Sequence, residues 1–90
     1  MNSVANLSLG QILITPGAKE AVPTYDVIQA LIRHQKGDWG IVSDEDKNDN
    51  DMAVENGYRI LSAYMSGDTK FWIITEWDRS ATTIMLPEDY

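Results

Sequence analysis

Cysteine is absent from the 90-residue chain. That excludes a disulfide framework, a thiolate nucleophile and a sulfur-ligated zinc site, and it fits a reducing, cytoplasmic setting. Cations are scarce: seven Lys and Arg face fourteen Asp and Glu, leaving a formal net charge of −7 and a pI near 4.3. Phosphate backbones are bound by Lys and Arg, so direct nucleic-acid binding is not expected. No run of about 18 apolar residues occurs, so a membrane helix is not expected either. Met1 to Leu7 lacks the basic start and apolar stretch of a signal peptide, and residues 1–7 read as a flexible tail. A phosphate loop, a dinucleotide fingerprint and a Gly-x-Ser-x-Gly elbow are all missing. An enzyme is therefore not expected, and no cofactor is implied.

What is present suits one small domain spanning residues 1–90. Apolar residues make up 43% and charged residues 23%, the ordinary globular range. A chain this long buries roughly 60–65% of its unfolded surface, enough for one core. Leu9 to Thr15 reads as a strand whose apolar run suggests burial on both faces, stopped by a Pro16-Gly17 turn. Val27, Ile28, Leu31, Ile32 and Gln35 recur at helical spacing from a Thr24 N-cap to a Gly37 stop. A second helix, Asp44 to Glu55, is framed by Ser43 as N-cap and Gly57 as terminator. The last third is a meander: Tyr58–Tyr64, a Ser66–Thr69 loop, Lys70–Trp77, a turn at Asp78–Ser80, and Ala81–Leu86 before Pro87. The expected fold is α+β, order β-α-α-β-β-β, with two helices on one face of an antiparallel sheet of about four strands. The strand partner of the first strand is left open.

Arg59-Ile-Leu-Ser-Ala-Tyr64 and Ile74-Thr-Glu-Trp-Asp-Arg-Ser-Ala-Thr-Thr83, with Leu9-Gly-Gln-Ile12, Thr15-Pro-Gly-Ala18 and Gly37-Asp-Trp-Gly40, resemble a family of small bacterial proteins found on plasmids and integrated mobile elements. Members are labelled hypothetical or plasmid-related, and some carry a type I restriction subunit name that follows genomic neighbourhood. The resemblance covers most of the chain and implies a mobile-element setting, which favours proteins that modulate host defences or that help maintain the element. It transfers no activity and no catalytic or binding residue.

Fifteen residues, Ser43 to Gly57, hold six carboxylates and one Lys, so −5 of the −7 charge is concentrated there. Such a field steers cationic partners. Asp44, Glu45, Asp46, Asp49, Asp51 and Glu55 are the candidate interaction residues, with Glu45/Asp49 and Asp51/Glu55 at i,i+4 on a helix. Twelve helical residues span about 18 Å, which is sparser charge than duplex DNA carries. It still suits a groove lined with Arg and Lys on a nucleic-acid-handling host or defence protein. The bland alternative is a solvated acidic helix.

A metal reading competes. Asp44, Asp46, Asn48, Asn50 and Glu55 fall at positions 1, 3, 5, 7 and 12 of a calcium loop. Position 6, where the loop needs Gly, is Asp49. Trp72 joins the candidate residues because Trp72, Ile74 and Glu76 alternate against Phe71, Ile73, Thr75 and Trp77, so one set stands opposite the helices. An uncovered aromatic there suggests a partner or a homodimer. His34 reads as a packed residue at the edge of the helical stripe, and Arg79 as a local pair with Glu76 or Asp78.

Overall fold

The computed structural model describes residues 7–90. Its elements are β1 (Gln11–Ile14), α1 (Pro16–Ala21), α2 (Thr24–Gln35), α3 (Asp44–Asn56), β2 (Ile60–Ser66), β3 (Thr69–Thr75), β4 (Ala81–Met85) and a 3-10 turn at Pro87–Asp89. The fold is α+β, with the four strands in the order β1-β4-β3-β2. The β2–β3 and β3–β4 pairs are antiparallel. β1 runs parallel to β4, so the sheet is mixed rather than antiparallel throughout. The helices carry the chain from β1 to the opposite edge, and the meander returns it to arrive beside β1 in the same direction.

Among the described residues three α-helices form where two were expected. α1 begins where a turn was expected: the Thr15 hydroxyl accepts from the Ala18 N–H at 3.2 Å, and Pro16 occupies the first helical position. A proline there sacrifices no hydrogen bond and arrives with helical φ already set, so Thr-Pro starts a helix. β1 is also not buried on both faces. It is the edge strand, and Ile12, Leu13 and Ile14 stand 46%, 40% and 38% exposed.

Strand alternation gives the sheet two unlike faces. Ile60, Ser62 and Tyr64, Phe71, Ile73 and Thr75, and Thr82 and Ile84 are all buried on the helix side. There they meet Ala18, Val22, Val27 and Ala30, while Leu7, Trp39, Ala53 and Ile60 form a second cluster. Leu7, expected in a tail, is thus a core residue, and its N–H donates to the Gln35 carbonyl; the rest of the expected tail lies outside the described residues. α2 faces inward through Val27, Ala30 and His34, leaving Ile28 and Ile32 half-exposed. Its buried stripe follows the i, i+3, i+7 line rather than its most apolar residues.

The segment before α3 extends the other edge of the sheet. Gly40 bridges Ala63 in parallel: the Ala63 N–H donates to the Trp39 carbonyl and the Ile41 N–H to the Ala63 carbonyl. Gly40 has φ +76°, and a Cβ there would lie 2.0 Å from the Ala63 carbonyl oxygen. Glycine is what lets the backbones approach so closely.

Candidate interaction surface

α3 forms as its ends dictate. The Ser43 hydroxyl accepts from the Asp46 N–H at 3.0 Å, Gly57 closes the helix in the left-handed conformation, and Asp44, Glu45 and Asp46 lie in the first turn. Acids there complement the positive end of the helix dipole, which offsets the poor helix propensity of the Asn and Asp residues.

The buried residues on the inward side of α3, Asn50 and Ala53, are neutral. Ala53 packs beside Trp39 and Ile60. The buried Asn50 amide donates to the Leu61 carbonyl at 2.8 Å, and its oxygen accepts from the Leu61 N–H at 3.3 Å. The side chain thus supplies the hydrogen bonds a neighbouring strand would make. At the far end the Arg79 guanidinium donates to the carbonyls of Ala53, Tyr58 and Glu76 at 2.7, 2.6 and 3.1 Å. Arg79 therefore ties the C-terminus of α3 to the β3–β4 turn and forms no ion pair with Glu76 or Asp78. Its own φ is +61°.

The outward side of α3 is acidic. Asp44, Glu45, Asp46, Asp49 and Glu55 are exposed, with Met52, 58% exposed, among them. Among the described residues the one ion pair is Arg33–Asp38 at 2.8 Å, so none of the described cations is ion-paired with these carboxylates. Asp51 differs from the other five. It is half-buried, and its Oδ1 accepts from the Trp39 indole N–H at 2.8 Å. Asp51 anchors α3 to the core and does not belong to the free acidic surface.

The acidic helix meets the sheet face opposite the helices at a cleft of about 290 Å³ lined by Asp46, Asn50, Arg59, Leu61 and Tyr90. The Tyr90 ring lies edge-on to Trp72 with centroids 5.9 Å apart, and the Arg59 guanidinium sits 5.0 Å from the Tyr90 centroid. Trp72 is half-buried on that face, as the alternation of β3 requires. The structure therefore makes Trp72 and the first turn of α3 parts of one continuous surface, through Arg59 and Tyr90. Arg59 was legible as a neighbour of Leu61 by strand parity. The position of Tyr90 depends on the 3-10 turn and carried no sequence signal.

The calcium-loop reading meets a continuous helix. Ligands two residues apart on a helix diverge by about 200° and cannot converge on one ion. Among the described residues no group of three His, Asp or Glu side chains is placed to hold a metal.

His34 is fully buried, with Nδ1 2.5 Å from the Ser62 hydroxyl and Nε2 2.8 Å from that of Thr75. Thr75 and Thr82 hydroxyls lie 2.8 Å apart, and Thr82 donates to the Leu9 carbonyl at 2.7 Å. Burial, and secondarily the positive charge of Arg79, push the His34 pKa down to about 4. Ser62, Thr75 and Thr82 are as inaccessible as the ring. A Ser–His pair that no substrate can touch is a structural feature.

Among the described residues no helix is long and apolar enough to cross a membrane. No protein-family model, no curated protein and no solved structure matches the chain.

Proposed function

We propose that this chain is a non-catalytic interaction protein that presents the outer face of α3 to a basic surface on a partner protein. The observation that carries this reading is the set of exposed carboxylates on α3, none of which is ion-paired with a cation among the described residues. Glu45 and Asp49 lie one turn apart on the outer side, and the exposed Met52 stands between them and Glu55 around the helix. Interfaces commonly combine an apolar anchor with a charged rim. Trp72, Tyr90 and Arg59 continue the surface around the cleft. A mobile-element setting favours a nucleic-acid-handling host or defence protein as the partner, whose phosphate-binding groove the carboxylates would occupy.

The experiment is affinity capture from a bacterial lysate by the native chain and by Glu45→Lys, Asp49→Lys, at low and high salt. The expected result is a basic nucleic-acid-binding protein retained by the native chain, lost on charge reversal and lost at high salt. Equal recovery on both chains overturns the reading. Asp51 is left intact because its replacement would disturb the Trp39 anchor.

A further inference from the structure

β1 presents a different kind of surface, and its occupant can be deduced from backbone geometry. In a parallel ladder the N–H and C=O of alternate residues point to the same neighbour. The Gln11 N–H donates to the Ser80 carbonyl and the Thr15 N–H to the Ile84 carbonyl, so the odd-numbered residues of β1 face β4. The N–H and C=O groups of Ile12 and Ile14 therefore point away from the sheet. Among the described residues no strand lies on that side.

We propose that a second copy of this chain pairs there, β1 against β1 in antiparallel register about a two-fold axis at Leu13. In that register Ile12 of one copy opposes Ile14 of the other. Each such pair exchanges two backbone hydrogen bonds, so four outward N–H groups and four outward carbonyls are satisfied together. Leu13 meets its own copy at the axis as the non-hydrogen-bonded pair. The parity is self-consistent: the residues with free backbone groups are the ones the symmetric register places opposite each other.

Side chains agree with that register. Ile12 and Ile14 project to the helix side, where with Lys19, Val22, Val27 and Ile84 they border an apolar groove of about 220 Å³. The symmetric pairing gathers four isoleucines over the two grooves. β1 also lacks the devices that keep edge strands apart, since Gln11-Ile-Leu-Ile14 carries no charge, no proline and no bulge.

Charge favours a second copy at this edge over any other. α3 lies at β2, the opposite edge of the sheet. Pairing through β1 makes an eight-stranded sheet in which the two β2 strands stand about 34 Å apart at about 4.8 Å per strand. That exceeds the Debye length of about 8 Å, so the two acidic helices do not repel each other appreciably. The dimer carries one at each end.

Sedimentation equilibrium across micromolar to millimolar protein, with amide hydrogen exchange at both extremes, tests the proposal. The expected mass is 10.1 kDa when dilute, doubling with concentration. Protection of the Ile12 and Ile14 amides is expected to rise in step, while Leu13, bonded within its own sheet, stays protected throughout. Leu13→Lys places like charges together at the axis and is expected to abolish doubling with the far-ultraviolet circular dichroism unchanged. A chain monomeric at every concentration overturns the proposal. So does a dimer in which Ile12 and Ile14 exchange as in the monomer, or one broken by Trp72→Ser alone, which would assign the interface to the open sheet face. Exchange is read on the native chain, so the result stands even if the lysine variant fails to fold.

Discussion

The Nε2–H of His34 donates to the Thr75 hydroxyl, and the direction of that bond follows from the far end of the chain it belongs to. Thr82 commits its one proton to the Leu9 carbonyl, an acceptor only. Thr75 must then donate to Thr82 and accept from His34, which leaves Nδ1 bare to accept from Ser62. One run of donors thus ties α2, all three strands of the meander and the segment entering β1. The ring is the neutral Nε2–H tautomer.

That assignment predicts a pH dependence. The ordinary histidine pKa is 6.5, and folding lowers it to about 4 because the ring is buried beside the charge of Arg79. Between those values the unfolded chain binds more protons, so stability is complete above about pH 6.5 and falls as pH drops toward 4. The loss across that window is about 3 kcal/mol at 1.36 kcal/mol per unit. Melting temperatures of the native chain and of His34→Gln between pH 4 and 7.5 check this; the native curve is expected to slope and the variant's to flatten. Nitrogen-detected ring spectra are expected to show Nε2 protonated at neutral pH.

Cutting the same chain at its last link should cost stability without changing shape. Thr82→Val keeps the volume but strands the Thr75 proton and the Leu9 carbonyl. The expected loss is about 1–3 kcal/mol, read as a shift of the urea midpoint with an unchanged slope.

Asp49 and Asp51, two residues apart on one helix, should respond in opposite ways. Asp51→Ala removes the acceptor of the Trp39 indole and is expected to destabilise by about 1–3 kcal/mol. Asp49→Ala changes an exposed side chain and is expected to stay within about 0.5 kcal/mol. Denaturant titration followed by tryptophan fluorescence distinguishes them. Similar losses for both would disprove the division of α3 into anchor and free surface.

Two glycines with positive φ should likewise differ. An alanine Cβ at Gly40 would sit 2.0 Å from the Ala63 carbonyl oxygen, whereas at Gly67, φ +58°, it meets nothing. Gly67→Ala is expected to cost about 1–2 kcal/mol from the left-handed backbone alone. Gly40→Ala adds a backbone clash and is expected to cost clearly more, measured as the difference in thermal midpoints.

Much of the fold was legible along the chain because its signals are local. Ser43 and Gly57 bracket α3 since a cap hydroxyl and a left-handed glycine act within one turn. The β2–β3 hairpin was legible from two β-rich runs around Gly67-Asp68. α1 was misread because Pro-Gly favours a turn in isolation, and the Thr15 cap tips the balance. The exposed acids of α3 and the position of Trp72 opposite the helices were also readable, being matters of charge and of strand period.

By itself, then, the sequence determined the α+β composition, the ends of α3, the span of α2, the meander and the concentration of charge at residues 44–55. It did not determine the cap of α2, which is Pro23 with no side-chain bond rather than Thr24. The tertiary structure decided everything that depends on which elements meet. It placed β1 parallel to β4 at an edge, because pairing over some seventy residues is set by how the helices route the chain. It took Asp51 from the acidic surface to hold Trp39, and turned His34 from the rim of a stripe into the centre of a buried hydrogen-bonded chain. A side chain's periodicity tells which way it points; its hydrogen-bond partner lies on another element, and no local pattern encodes that.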